Sequence, residues 1–285
     1  MFLSFSAALP LSTSRVLGTA LGTLLNCLPT RERYYSNRNL ELCLPDLSKS
    51  QRKALVRSSL VETGKSLMEL GALWRWPEEK LMPLIQKIEG VEHVEAARQH
   101  KKGIIFVLAH LGSWELAGLY ISTLNQTTVI YNPPKLPHAE KVICEARSRF
   151  DAQLVPTNRQ GVKALLKALS NDEQVIILPD QDPGSGAGVF APFFGIQTNT
   201  TTLVSKLAAR AKAPVVHCYA ERLEGAEGYQ IYFRAADEDS ASLDLPTSAK
   251  ALNADLESCI REIPDQYQWS YKRFKYRPDD EPRIY

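Results

Sequence analysis

The sequence predicts an α/β fold, a sheet covered on both faces by helices, with an amphipathic helix ahead of it. Two observations predict the sheet. Short apolar runs alternate with helical patterns through the centre of the chain, and 44% hydrophobic with 23% charged residues suffices for a core. A third, an apolar stripe at helical spacing near the N-terminus, predicts the added helix. At 285 residues the chain has room for one α/β domain with helical additions.

The first 15 residues, MFLSFSAALPLSTSR, lack the early positive charge of a secretory signal. Pro10, Ser12, Ser14 and Arg15 also break any run long enough to span a bilayer. From Val16 the pattern changes. Val16, Leu17, Ala20, Leu21, Leu24, Leu25 and Leu28 fall on one stripe, with Gly18, Thr19, Gly22, Thr23 and Asn26 opposite. Such a helix suits a membrane interface, with Arg31, Arg33 and Arg38 on the cytoplasmic side; packing on its own domain is the alternative.

Residues 46–76 read as a long helix, with Asp46 or Ser48 as cap and WRWP ending it at Pro77. Trp74 and Trp76 suit either a membrane interface or packing. Strand-like runs follow at Ile104–Ala109, Thr128–Tyr131, Val175–Leu178, Val215–Ala220 and Tyr229–Arg234. Helical patterns lie near Ser113–Leu124, Pro137–Phe150, Gln160–Ser170, Asn199–Lys212 and Thr247–Ile263.

Net charge is +2, so overall charge selects no partner. The basic residues cluster near 31–38 and at Lys272, Arg273, Lys275 and Arg277. Such clusters suit lipid phosphates or an acidic protein, and equally a solvated face. Five widely spaced cysteines show neither CxxC nor zinc-ligand spacing, which argues for reduced thiols and no metal.

Three segments can carry chemistry. In IIFVLAHLGSWE, a buried strand delivers His110 at its C-terminal end, where open α/β sheets place their ligands. Glu115 follows in the first turn of a helix, within reach of the imidazole. A neutral histidine, with a reference pKa of about 6.5, accepts a proton near neutral pH. A carboxylate beside it fixes the tautomer and stabilises the imidazolium. A histidine satisfied structurally at a strand end is the plainer account of this spacing alone.

In LPDQDPGSGAGVFAPFFG, Asp180, Gln181 and Asp182 sit at a second strand end. A glycine-rich loop and an apolar stretch follow, either a greasy wall for a ligand or a surface loop. The glycines match neither a P-loop nor a dinucleotide fingerprint, so no nucleotide cofactor is indicated. In WSYKRFKYRP, alternating aromatic and basic residues suit phosphates; nucleic acid is the rival, and the apolar N-terminal helix favours lipid. Arg147 is a further candidate for anion binding.

Taken in order, these segments resemble the bacterial lipid A biosynthesis (late) acyltransferases of the lysophospholipid acyltransferase-like superfamily. NRNLELCLPDLS looks like that family's first motif, AHLGSWE its His-x4-acid signature, DQDPGSGAGVFAPFFG its central block and WSYKRFKYRP its last. The resemblance implies a mixed central sheet flanked by helices, glycerolipid acyltransferase-like, over residues 31–285, behind a membrane-associating segment at 1–30. It implies transfer of an acyl group from acyl-acyl carrier protein to a hydroxyl of a lipid A precursor, without cofactor, at the cytoplasmic face of the inner membrane. His110 would be the general base and Glu115 the residue orienting it. Arg147, Asp180, Gln181, Lys272 and Arg273 would line the substrate.

Two departures stand out. Tyr271 and Lys272 occupy places usually held by histidine and arginine, and NPPKLPHAE after Tyr131 lacks an expected arginine and asparagine. A transferase for another glycolipid or an ornithine-type lipid, a lipid hydrolase and a non-catalytic lipid-binding module are the alternatives.

Overall fold

The computed structural model describes residues 2–134, 137–279 and 281–285. Four helices come first: α1 (Phe2–Ala8), α2 (Leu11–Cys27), α3 (Arg31–Cys43) and α4 (Lys49–Arg75). Ser48 starts α4 with a capping box, its hydroxyl accepting from the Gln51 amide while the Gln51 side chain accepts from Ser48. Trp76 and Pro77 end it, since the residue before proline leaves the helical region.

The sheet region then runs α5 (Glu78–Leu81), β1 (Ile85–Glu89), α6 (Val91–Gln99), β2 (Ile104–Gly112), α7 (Trp114–Leu124) and β3 (Thr127–Tyr131). It continues through α8 (Pro137–Arg147), β4 (Ala152–Pro156), α9 (Arg159–Ser170) and β5 (Gln174–Ile177). The hairpin β6 (Gly188–Phe193) and β7 (Ile196–Thr201) precedes α10 (Leu203–Ala211), β8 (Val215–Arg222), β9 (Tyr229–Ala235) and α11 (Leu245–Glu262).

Seven strands form one sheet in the order β1-β9-β8-β2-β5-β3-β4, and every neighbouring pair is parallel except β8–β9. The sheet is therefore mixed but mostly parallel, with helices on both faces. β2 lies at its centre and shows why. Its odd residues Ile105, Val107, Ala109 and Leu111 join one core with Leu165 of α9, Leu207 of α10 and Leu256 of α11. Its even residues Ile104, Phe106 and Leu108 join a second core with Val94 of α6 and Ala117 of α7. A strand buried on both faces reads as an unbroken apolar run, as IIFVLA does.

The N-terminal helices pack on one another through their small residues. Gly18 and Gly22 of α2 lie against Gly64 of α4 so closely that a Cβ on Gly22 would sit 2.3 Å from the Leu60 carbonyl oxygen. The apolar stripe of α2 consequently faces outward, with Val16 68% and Leu24 53% exposed. Beneath the helices runs a buried ion network. Glu69 takes Arg15 Nε and Arg222 Nε, each at 2.8 Å, and Glu62 takes Arg222 Nη1 at 2.8 Å. Arg15 also donates to the carbonyls of Leu223, Gly225 and Gly228 in the β8–β9 turn. Among the described residues no helix is long and apolar enough to cross a membrane.

Candidate active site

His110 is the next even residue after Leu108, where β2 runs out beyond the core, so its ring emerges on the α7 side of the sheet. Gly112 then turns the chain into α7. Its φ is +58°, and a Cβ there would meet the Ala220 carbonyl oxygen at 2.0 Å, so only glycine fits. The Ser113 amide donates to that same oxygen at 2.7 Å. From the far side the closing segment braces the strand: the Gln268 amide donates to the His110 carbonyl at 3.0 Å, and Leu111 bridges Tyr267.

The partner of the imidazole is Asp180. Its Oδ1 lies 2.9 Å from His110 Nδ1, and its Oδ2 accepts the His110 backbone N–H at 3.0 Å. Asp180 follows β5, the parallel neighbour of β2, so sheet register brings the two strand ends together. The carboxylate is buried behind the ring, 2% exposed. Burial pushes its pKa up, but the facing imidazole and the two hydrogen bonds from His110 outweigh this and hold it below the usual carboxylate range. Such an acceptor assigns the proton to Nδ1. Nε2 is then the lone-pair nitrogen, and it faces Gln181 Nε2 at 3.3 Å.

Glu115 holds a different place from the one its spacing suggested. Its hydrogen bonds run to Arg147, whose Nε lies 3.1 Å from Oε2 and whose Nη2 pairs with Oε1, and to the Trp74 indole N–H at 3.0 Å. Among the described residues none of its hydrogen bonds reaches the imidazole. The reason is geometric: the first turn of α7 faces α4 and the end of α8, while the ring nitrogen near a carboxylate faces β5. Burial raises the Glu115 pKa, yet the Arg147 charge and hydrogen bonds bring it below the usual value.

His110, Glu115, Arg147 and Gln181 all line one cavity of ≈ 1080 Å³ between the strand ends, α9 and α10. Leu166, Leu178 and Leu207 give it an apolar interior, and Lys206 and Arg210 lie along its α10 wall. A mostly apolar cavity with a few convergent polar groups is the usual form of a small-molecule site.

Lys272 and Arg273 stand outside it. Arg273 is buried, donating to the Asn199 carbonyl at 2.7 Å and to Thr200 Oγ1 at 3.3 Å, so it pins the β6–β7 hairpin to the closing segment. Lys272 is exposed and lies over the Tyr35 ring at 4.6 Å. Tyr271 accepts the Asp182 amide N–H at 3.1 Å, so the departure at this position braces the strand-end loop. In the other departing segment, Lys135 and Leu136 lie outside the described residues.

Two residues make contacts that the sequence reading did not assign. Trp74, read there as an interface or packing residue, donates to Glu115, and Asn39 Nδ2 donates to the carbonyls of Trp269 and Tyr271, both at 2.7 Å, tying the first motif to the last. The sole signal for Asn39 was membership in a matched motif.

Residues 1–276 match the bacterial lipid A biosynthesis acyltransferase family. The chain belongs to that family. It is similar to the lipid A biosynthesis lauroyltransferase of Escherichia coli K12, 32% identical over 270 residues, 94% of this chain and 87% of that protein. Similar too are the palmitoleoyltransferase of the same strain, at 28% over 97% of this chain and 90% of that one, and its myristoyltransferase, at 24% over 93% and 82%. In this lipid A biosynthesis acyltransferase His110, Glu115, Arg147 and Gln181 share one cavity, while outside it Asn39 ties the first motif to the last.

Proposed function

We propose that this chain transfers a fatty acyl group from an acyl carrier protein thioester to a hydroxyl of a lipid A precursor, with His110 as general base and Asp180 as the residue that orients it. One observation carries the reading: the imidazole is held by a buried carboxylate at Nδ1 while Nε2 lines a large, mainly apolar cavity.

Nε2 takes the proton of the acceptor hydroxyl as its oxygen attacks the thioester carbonyl. Asp180 stabilises the imidazolium so formed, assistance typically worth about 10²–10⁴ in rate. Negative charge develops on the carbonyl oxygen. The amides at the start of α7, which have no side-chain cap, and the Arg147 guanidinium supply positive potential there. The tetrahedral intermediate collapses, the C–S bond breaks, and the imidazolium returns its proton to the carrier thiolate. Arg147 also suits a phosphate or carbonyl oxygen of the substrate, with Glu115 fixing its direction.

The outward apolar stripe of α2 supports attachment to the cytoplasmic face of the inner membrane, where a bilayer would cover Val16 and Leu24. The test supplies purified enzyme with an acyl carrier protein thioester and a lipid A precursor, then weighs the lipid product. A lipid heavier by one acyl group is expected, and none with His110→Ala. Free fatty acid in place of acylated lipid, or ample product from His110→Ala, refutes the reading.

A further inference from the structure

A second cavity, ≈ 850 Å³, shares no lining residue with that of His110 and opens between the C-terminal end of α2, the start of α3 and the first turns of α4. Five cations line it: Arg33 from α3 and Lys49, Arg52, Lys53 and Arg57 from α4. No aspartate or glutamate does. Among the described residues the only carboxylate paired with any of the five is Glu41, 3.7 Å from Arg52, and Arg52 Nε is buried with no hydrogen-bond partner. Like charges gathered this way repel one another unless an anion enters.

The surroundings say what kind of anion. The wall residues Asn26 and Pro29 sit between and beside Leu24 of α2 and Leu28 just after it, which are 53% and 47% exposed, and Tyr34 at the rim is exposed as well. Of the twelve large hydrophobic side chains exposed among the described residues, eight belong to the first 67 positions. An acidic protein surface offers charge but gives no reason for so much bare apolar surface beside the groove. A bilayer offers both, with hydrocarbon for the stripe and phosphates one headgroup layer above it.

We propose that this groove receives the phosphate of an anionic phospholipid, so that the enzyme is drawn to negatively charged bilayers. The inference rests on the reading of α2 as the bilayer-facing helix. Arg33, Lys53 and Arg57 supply the attraction, and Arg52 closes the floor of the groove.

The full chain is tested by co-sedimentation with vesicles of phosphatidylcholine, alone or mixed with phosphatidylglycerol. Each cation near such a surface strengthens binding about five-fold, so the triple variant Arg33→Gln, Lys53→Gln, Arg57→Gln should lose about 100-fold on the mixed vesicles. It should lose nothing on neutral ones, and added salt should erase the difference. A second variant, Val16→Ser with Leu24→Ser, should bind both vesicle types more weakly, which tests the α2 reading separately. Undiminished binding of the triple variant to anionic vesicles overturns the groove assignment. So does a defect confined to acidic carrier protein, which would make the partner a protein. A triple-variant loss without any effect of the serine pair keeps the groove and removes α2 as the membrane contact. Because these five cations stand apart from the His110 cavity, His110→Ala should bind vesicles like the native enzyme.

Discussion

Replacing Asp180 by asparagine tests the active-site geometry most sharply. The carboxylate accepts two hydrogen bonds from one residue, the ring N–H at 2.9 Å and the backbone N–H at 3.0 Å. Asparagine has one acceptor for those two donors. If its oxygen stays with the backbone N–H, its amide points at Nδ1, which must then give up its proton. The proton moves to Nε2, and the nitrogen facing the cavity can no longer accept one. If the amide flips instead, two N–H groups collide in a buried site, at about 1–3 kcal/mol. Either way the imidazolium loses its counter-charge. The expected loss in kcat is on the order of 10³, within the usual range for a general base, with KM little changed. Steady-state turnover with carrier thioester and lipid precursor measures it, and circular dichroism checks the fold. Combined with His110→Ala, the substitution should add almost nothing, because both disable one device. An Asp180→Asn enzyme retaining more than about a tenth of native kcat, or losses that multiply in the double variant, would refute the argument.

Other expectations follow from the surrounding structure. Glu115→Gln leaves Arg147 without its counter-ion and should lower Tm by on the order of 5 °C at neutral pH. Because the folded-state pKa of Glu115 is depressed, its contribution is complete above the ordinary value of about 4.3 and fades as pH falls through the lower one, so the two melting curves should converge in acid. A constant gap in Tm at every pH would speak against the pairing. Arg222→Met removes the buried cation shared by Glu62 and Glu69, leaving them only Lys65 and Arg15, and should cost about 3 kcal/mol, read as a fall in Tm on the order of 10 °C; an unchanged Tm counts against the network. Gly22→Leu drives a side chain into the Leu60 carbonyl and should separate α2 from α4, seen as faster proteolysis within residues 11–27; native-like resistance would show the contact to be dispensable.

Much of this was legible in the residues. The run IIFVLA announced a strand buried on both faces, and Asp46 or Ser48 ahead of a helical pattern announced the start of a long helix, which Ser48 caps. β1 and β4 were not legible, because IQKIE and AQLVP are short edge strands whose polar residues resemble loop. Residues 188–201 hid a hairpin, since the glycines before it suggested an open loop. At the site, His110 stood out by its position at the end of an apolar run. Its partner did not. Spacing along the chain made Glu115 the natural choice, whereas the carboxylate that meets the ring comes from 70 positions away by way of strand pairing. Sequence proximity fixes who shares a helix; sheet order decides who shares a proton. The outward stripe of α2 was read correctly as a pattern, while its small-residue side, holding Gly18 and Gly22, proved to be the packing face.

The guanidinium of Arg15 has a mechanical consequence. One side chain on α2 grips three carbonyls of the β8–β9 turn and a carboxylate of α4, so the leading helices are keyed to the catalytic body and not hung from it by a leash. Whatever surface α2 rests on, the cavity mouth beside His110 is held at one height and one angle above it.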